Sequence, residues 1–256
     1  MKSKTTLACL WITVALVVVA LPLSASAATF LKQVTHTDPA TMMGKTQPAK
    51  DDTSSIWLAK DMACMMNADN TAIIVRSDKG LFYLIDNNKK SYSELAIEAL
   101  GDMAKMAGLE GEAGAQHAKM MQGMMGSMKV TVTPTEETKK IKDWNAKKYI
   151  VEMSMAMGTT KSEHWASEDI KLDYEMFQLI SNAFMAQMPG FQDILTEMKK
   201  IKGVTVESAT EANVMGSTVK STTKVLEFAE KDPPAGVFDI PKDYKKVNMT
   251  DMGPGR

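Results

Sequence analysis

The sequence predicts an α+β fold: a curved antiparallel sheet of about nine or ten strands with two helical insertions covering one face. Three observations predict it. Short β-rich runs alternate with turn residues along most of the chain. Residues 144–157 alternate apolar and polar side chains. Two stretches, 91–128 and 173–201, change to helical spacing.

Taken in order, residues 30–37 alternate, with Phe30, Lys32, Val34 and His36 on one face. A second strand is expected over 56–66. Residues 71–77 carry Ile73, Ile74 and Val75, and Lys79-Gly80 turns them into a partner over 81–85, so a hairpin is expected. Ser91 and Glu94 have the spacing of a capping box, which predicts a helix start. Leu95, Leu100, Met103 and Met106 follow at helical intervals, and a second helical piece covers 115–125. Strands resume at 129–133 and pass through Pro134 into a charged stretch. The next run, 144–157, has the clearest alternation. Tyr149, Val151, Met153, Met155 and Met157 share one face, with Lys148, Glu152 and Ser154 on the other. Such a pattern means one dry face and one wet face. Gly158 turns the chain into a strand over 159–166. Asp173 is a candidate N-cap for a helix with Phe177, Ile180, Phe184 and Met188 in a stripe. After Pro189-Gly190, a shorter helix points Phe191, Ile194, Leu195, Met198 and Ile201 inward. Strands over 204–214 and 218–227 follow, then a short one over 236–240. Residues 248–256 are expected to fray.

The first 27 residues read as an export signal, cleaved after Ala27. Lys2 and Lys4 precede an almost wholly apolar run over 7–23, and Ala25-Ser26-Ala27 offers a small-x-small site. The expected location is therefore the periplasm, with one domain over 28–247. The formal net charge is -1. That balance argues against a nucleic-acid partner held through phosphates. Cys9 lies in the signal, which leaves Cys64 without an internal disulfide partner; it is expected to be a buried small apolar residue.

Three segments together resemble a known group: Trp144-Asn145-Ala146-Lys147-Lys148-Tyr149 leading into Met153-x-Met155-x-Met157; Ser162-Glu163-His164-Trp165-Ala166; and Asp232-Pro233-Pro234-Ala235-Gly236-Val237-Phe238. They look like an uncharacterised exported bacterial family, similar in outline to the LolA/LolB-like carriers of lipoproteins. The resemblance implies an unclosed, cup-like β-barrel with helices at its mouth. It also implies a cavity for an acyl chain, with an envelope lipoprotein or a membrane surface as partner.

Methionine is the compositional signal for function: 23 residues, against 7 Phe, 5 Tyr and 4 Trp. Flexible thioethers repack around ligands of different shape. The expected function is binding of a hydrophobic ligand, lipid or lipoprotein without catalysis. Val151, Met153, Met155, Met157, Phe177, Ile180 and Phe184 are the expected lining. An alternative is a Cu(I)-binding or metal-buffering site, because imidazole and thioether suit that ion and His117, Met121, Met124 and Met128 can share a helix face. A further alternative is an envelope structural or partner-binding domain. The chain has no nucleophile elbow, no P-loop, no dinucleotide fingerprint and no His pair at helical spacing, so neither an enzyme nor a cofactor is expected.

Overall fold

The computed structural model describes residues 27–42, 44–101, 116, 119, 123, 127–156, 158–170, 191–214 and 216–252. The described chain is mostly β. The first long strand is β1 (Ala28–Thr37), followed by a small separate hairpin of β2 (Ala40–Met42) and β3 (Lys45–Gln47). A first meander then runs through β4 (Lys50–Ala59), β5 (Met62–Met66), β6 (Thr71–Arg76), β7 (Leu81–Asp86) and β8 (Ser91–Ala96). A second runs through β9 (Lys129–Ile141), β10 (Trp144–Met155), β11 (Gly158–Ser167), β12 (Val204–Val214) and β13 (Ser217–Lys231). Helix α1 (Phe191–Met198) lies between β11 and β12, and β14 (Lys245–Lys246) comes last.

Twelve strands make one sheet, in the order β14-β8-β7-β6-β5-β4-β1-β13-β12-β11-β10-β9. β1 joins the two meanders, pairing antiparallel with β4 on one side and β13 on the other. Only β14 runs parallel to its neighbour, so the sheet is mixed. It does not close: β9 and β14 are free ends of the order.

This corrects the expected α+β class. The sheet has more strands than the nine or ten predicted, and α1 is the one α-helix among the described residues. The capping-box pattern at Ser91 misled for a physical reason. A cap competes with tertiary pairing, and here β7 pairs along the whole of 91–96, burying Ser91 and Ser93. Residues 56–66 are two strands, split by a turn at Lys60-Asp61. Residues 236–240 are a turn rather than a strand, because Gly236 takes φ 78°. The predicted helical segments over 102–115 and 171–190 lie outside the described residues.

The first meander buries one face beneath the C-terminal segment. Phe238 enters a cluster with Ala28, Phe30, Trp57, Cys64, Ile74, Tyr83 and Ile85, and Val237, Ile240 and Tyr244 pack around it. Phe30 and Trp57 rings meet at 4.5 Å. Polar ties hold this strap. Arg76 pairs with Asp239 at 2.9 Å, Lys90 with Asp243 at 2.9 Å, and Tyr244 Oη donates to Asn87 at 2.8 Å. Cys64 is buried there, as expected, and burial pushes its thiol up to about 11, so it stays protonated and unreactive.

The free edge at β9 is blunted. Pro134 has no N–H to offer, and Val132 N donates to Glu197 Oε2 on α1 at 2.8 Å. Lys200, 2.6 Å from Glu197 Oε1, together with the Val132 amide, holds that carboxyl below its usual range. After α1 the chain turns at Gly203, φ 84°, pressed against the Ser167 carbonyl where a Cβ would collide with backbone.

Candidate functional site

Strand alternation in the second meander sorts its side chains onto two unlike faces. Register places Glu152, Lys161, Glu211 and Lys220 in one row on successive strands. The charges alternate across the sheet and pair, Lys161 with Glu152 at 3.1 Å and Lys220 with Glu211 at 3.2 Å. Asp38 continues the row, its backbone N donating to the Lys220 carbonyl. Cross-strand pairs of this kind pin the register of a sheet. A concavity of about 870 Å³ on these strands is lined by Lys129, Glu152, Lys161, Glu211 and Lys220 and also by Met153, Thr160, Thr210 and Ser221. Glu152, Lys161, Glu211 and Lys220 are exposed as well as paired. Lys148 sits between Glu163 and Glu137, and the hydrogen bond to Glu163 is the main reason its ammonium titrates higher than usual.

The other face is half-buried and uncharged along the same rows. Val151 is 5% exposed, and Met153 and Met155 are half-buried beside it on β10. Val132 lies across from Val151, and Val130 from Met153. Val132, Tyr149, Val151 and Ala166 form one buried cluster with Val130 and Ile201, so the segment after α1 covers the β9–β10 end. Tyr149 Oη accepts a bond from Lys202 N at 3.2 Å. Three of the seven expected lining residues thus share one face. Met157, Phe177, Ile180 and Phe184 lie outside the described residues. So do His117, Met121 and Met124; Met128 is half-buried just ahead of β9. Among the described residues no cluster of three His, Cys, Asp or Glu side chains could hold a metal ion.

Three register irregularities fall on one line across this region. They lie at Lys32/Gln33, at Trp165/Ala166 and at Lys147/Tyr149, and the pairs Lys148↔Trp165 and Trp165↔Glu207 connect the last two. Bulges bend strands and raise their twist. Above this line Trp144, Ala146, Ile170 and Val206 pack with Leu31 and Val225 in a separate core.

His164 sits on the half-buried face, directly across from Tyr149. Its Nε2 is 3.0 Å from Ser162 Oγ, and its Nδ1 is 3.5 Å from Thr205 Oγ1. Burial lowers its pKa from the ordinary 6.5. The folded protein therefore binds fewer protons here than the unfolded chain, and stability falls as pH drops below 6.5. His36 has the opposite sign: Asp51, at 2.6 Å, and then Asp38 raise its pKa, a stabilisation lost as pH rises. Replacing His164 with Gln should flatten the stability profile between about pH 5 and 7, read from denaturant midpoints. A profile as steep as the wild type's would place that pH dependence elsewhere.

No family model matches the chain, and no curated protein matches it. Among solved structures, one of PNGF-II in the C2 space group is similar over 88% of this chain and 32% of that chain, with TM-score 0.36 and 12% identity. The chain thus spans a minor part of that protein's length.

Proposed function

We propose that this is an exported, non-catalytic protein that holds a hydrophobic ligand such as an acyl chain outside the cytoplasmic membrane. One observation carries the reading. The second meander keeps a half-buried, uncharged strip of Val130, Met153 and Met155, beside the buried Val132 and Val151, behind a face that is charged and ion-paired. The basic start, the apolar run and Ala25-Ser26-Ala27 support export. The binding surface is the face of an open sheet, and the acyl chain would come from a lipoprotein or a membrane surface.

The magnitudes suffice. Removing about 300 Å² of alkyl surface from water is worth roughly 7 kcal/mol at ~25 cal/mol per Å². If about half is spent on ordering, about 3.5 kcal/mol remains, which is binding of roughly millimolar strength. An uncharged fluorescent apolar probe, N-phenyl-1-naphthylamine, should bind saturably. Met155→Asp, at a half-buried position, should weaken that binding at least tenfold while leaving the unfolding transition cooperative. Equal probe binding by the folded variant would remove the methionine strip from the site.

A further inference from the structure

The methionine-bearing face is divided into two strips. β9 and β10 supply the aliphatic one. Beyond it, register sets Ser162, Thr210 and Ser221 side by side, and in the adjoining row His164, Ser208, Thr223 and Thr35. Four adjacent strands are therefore paved with small hydroxyl side chains. Ser162 is buried and the rest of these are half-buried. Two of the hydroxyls, on Thr35 and Thr223, meet at 2.9 Å, and Ser162 meets His164 at 3.0 Å.

This surface resembles neither solvent-facing sheet nor packed core. A sheet face that only meets solvent carries charge, as the reverse of these strands does at Glu152, Lys161, Glu211 and Lys220. A face that is ordinary core carries bulky apolar chains, as at Val132 and Val151. Across β11, β12, β13 and β1 the two rows hold hydroxyls and a single imidazole whose pKa burial lowers; on β4 they run on into Asp52, across from Thr35, and Lys50, across from Thr37, which pair with each other at 2.7 Å. A hydroxyl both donates and accepts, so a field of them matches a ligand with many uncharged donors and acceptors. A carboxylate or phosphate gains most from a free cation, and the lysine at the end of the rows, Lys50, is already paired with Asp52.

We infer that this face binds amphiphiles with an uncharged, sugar-like head, the alkyl chain lying on the half-buried Val130, Met153 and Met155 and the head on the serine and threonine rows. The inference rests on the hydrophobic-ligand reading above and names the class of head that goes with it. The uncharged head replaces water on half-buried hydroxyls with direct hydrogen bonds, and the adjacent aliphatic strip fixes its direction.

The test is displacement of N-phenyl-1-naphthylamine from the full chain by three ligands of one chain length: dodecyl maltoside below its micellar concentration, dodecanoate and dodecyl phosphate. The maltoside should bind about tenfold or more tightly than either anion, since only its head matches the hydroxyl rows. In the variant Thr210→Val/Thr223→Val, which keeps shape and strand preference, maltoside affinity should fall about tenfold while naphthylamine binding stays unchanged. Should that variant lose its cooperative unfolding transition, Ser221→Ala is the second test, with a loss of about threefold. Unchanged maltoside affinity in the folded variants, or tighter binding of an anion, overturns the inference. Naphthylamine binding without displacement by maltoside overturns the head assignment alone. Absence of naphthylamine binding overturns the ligand reading with it.

Discussion

Phe238→Ala is expected to cost about 3–5 kcal/mol of global stability, in the range of large aromatic deletions from a packed core. Phe238 is 7% exposed and is the strap's one fully inserted ring, set among Phe30, Trp57, Ile74 and Tyr83. The strap leaves β13 in the middle of the sheet order and runs back over the first meander, so this ring fastens the C-terminal segment to β1 and that meander. Its ion pairs should matter far less. Asp239 is 66% exposed where it meets Arg76, and Asp243 is 61% exposed where it meets Lys90. Asp239→Ala should therefore cost about 1 kcal/mol or less. Urea unfolding of the two variants distinguishes the contributions. If Phe238→Ala lost no more than Asp239→Ala, the strap would be an accessory to the fold and not part of its core.

Val151→Asp and Glu152→Val should have opposite consequences although the positions are adjacent. An aspartate at 151 would place an unpaired carboxylate among Val132, Tyr149 and Ala166, a loss of about 3–5 kcal/mol. Glu152 is exposed and, among the described residues, pairs with the exposed Lys161, so its replacement should change stability by about 1 kcal/mol or less. Urea midpoints and slopes measure both. Comparable losses would mean that the two sides of β10 are equally buried, which removes the distinction between the half-buried face and the charged one.

The parts of this molecule that could be read from the sequence are those where the two faces of a strand differ in polarity. β10 is legible because Val151 and Met153 alternate with Lys148 and Glu152. Helix α1 was legible from Ile194 and Leu195, the start of a helical stripe followed by lysines, although the helix ends at Met198, before Ile201. The N-terminal half of β4 was not, because Lys50 to Ser55 is polar on both faces and becomes a strand only by pairing with β1. β9 was broken at Pro134, since the absence of a partner beyond it, which makes a proline tolerable, is a fact of sheet order and not of sequence. β8 was masked by a local capping pattern that long-range pairing overrides. The methionine strip is visible as a period of two. The hydroxyl rows beside it are not, because Ser162, Thr210 and Ser221 come from three strands and meet only through register.

The most direct test of the account is to locate a bound alkyl chain. A long-chain photoreactive alkyl probe carrying a diazirine should cross-link saturably to residues of the half-buried face, with peptide mass spectrometry placing the label at Met153, Met155 or the facing Val130. Label confined to Glu152, Lys161 and Lys220 on the charged face, or label that never saturates, would contradict the claim that the methionine side of the sheet holds a hydrophobic ligand.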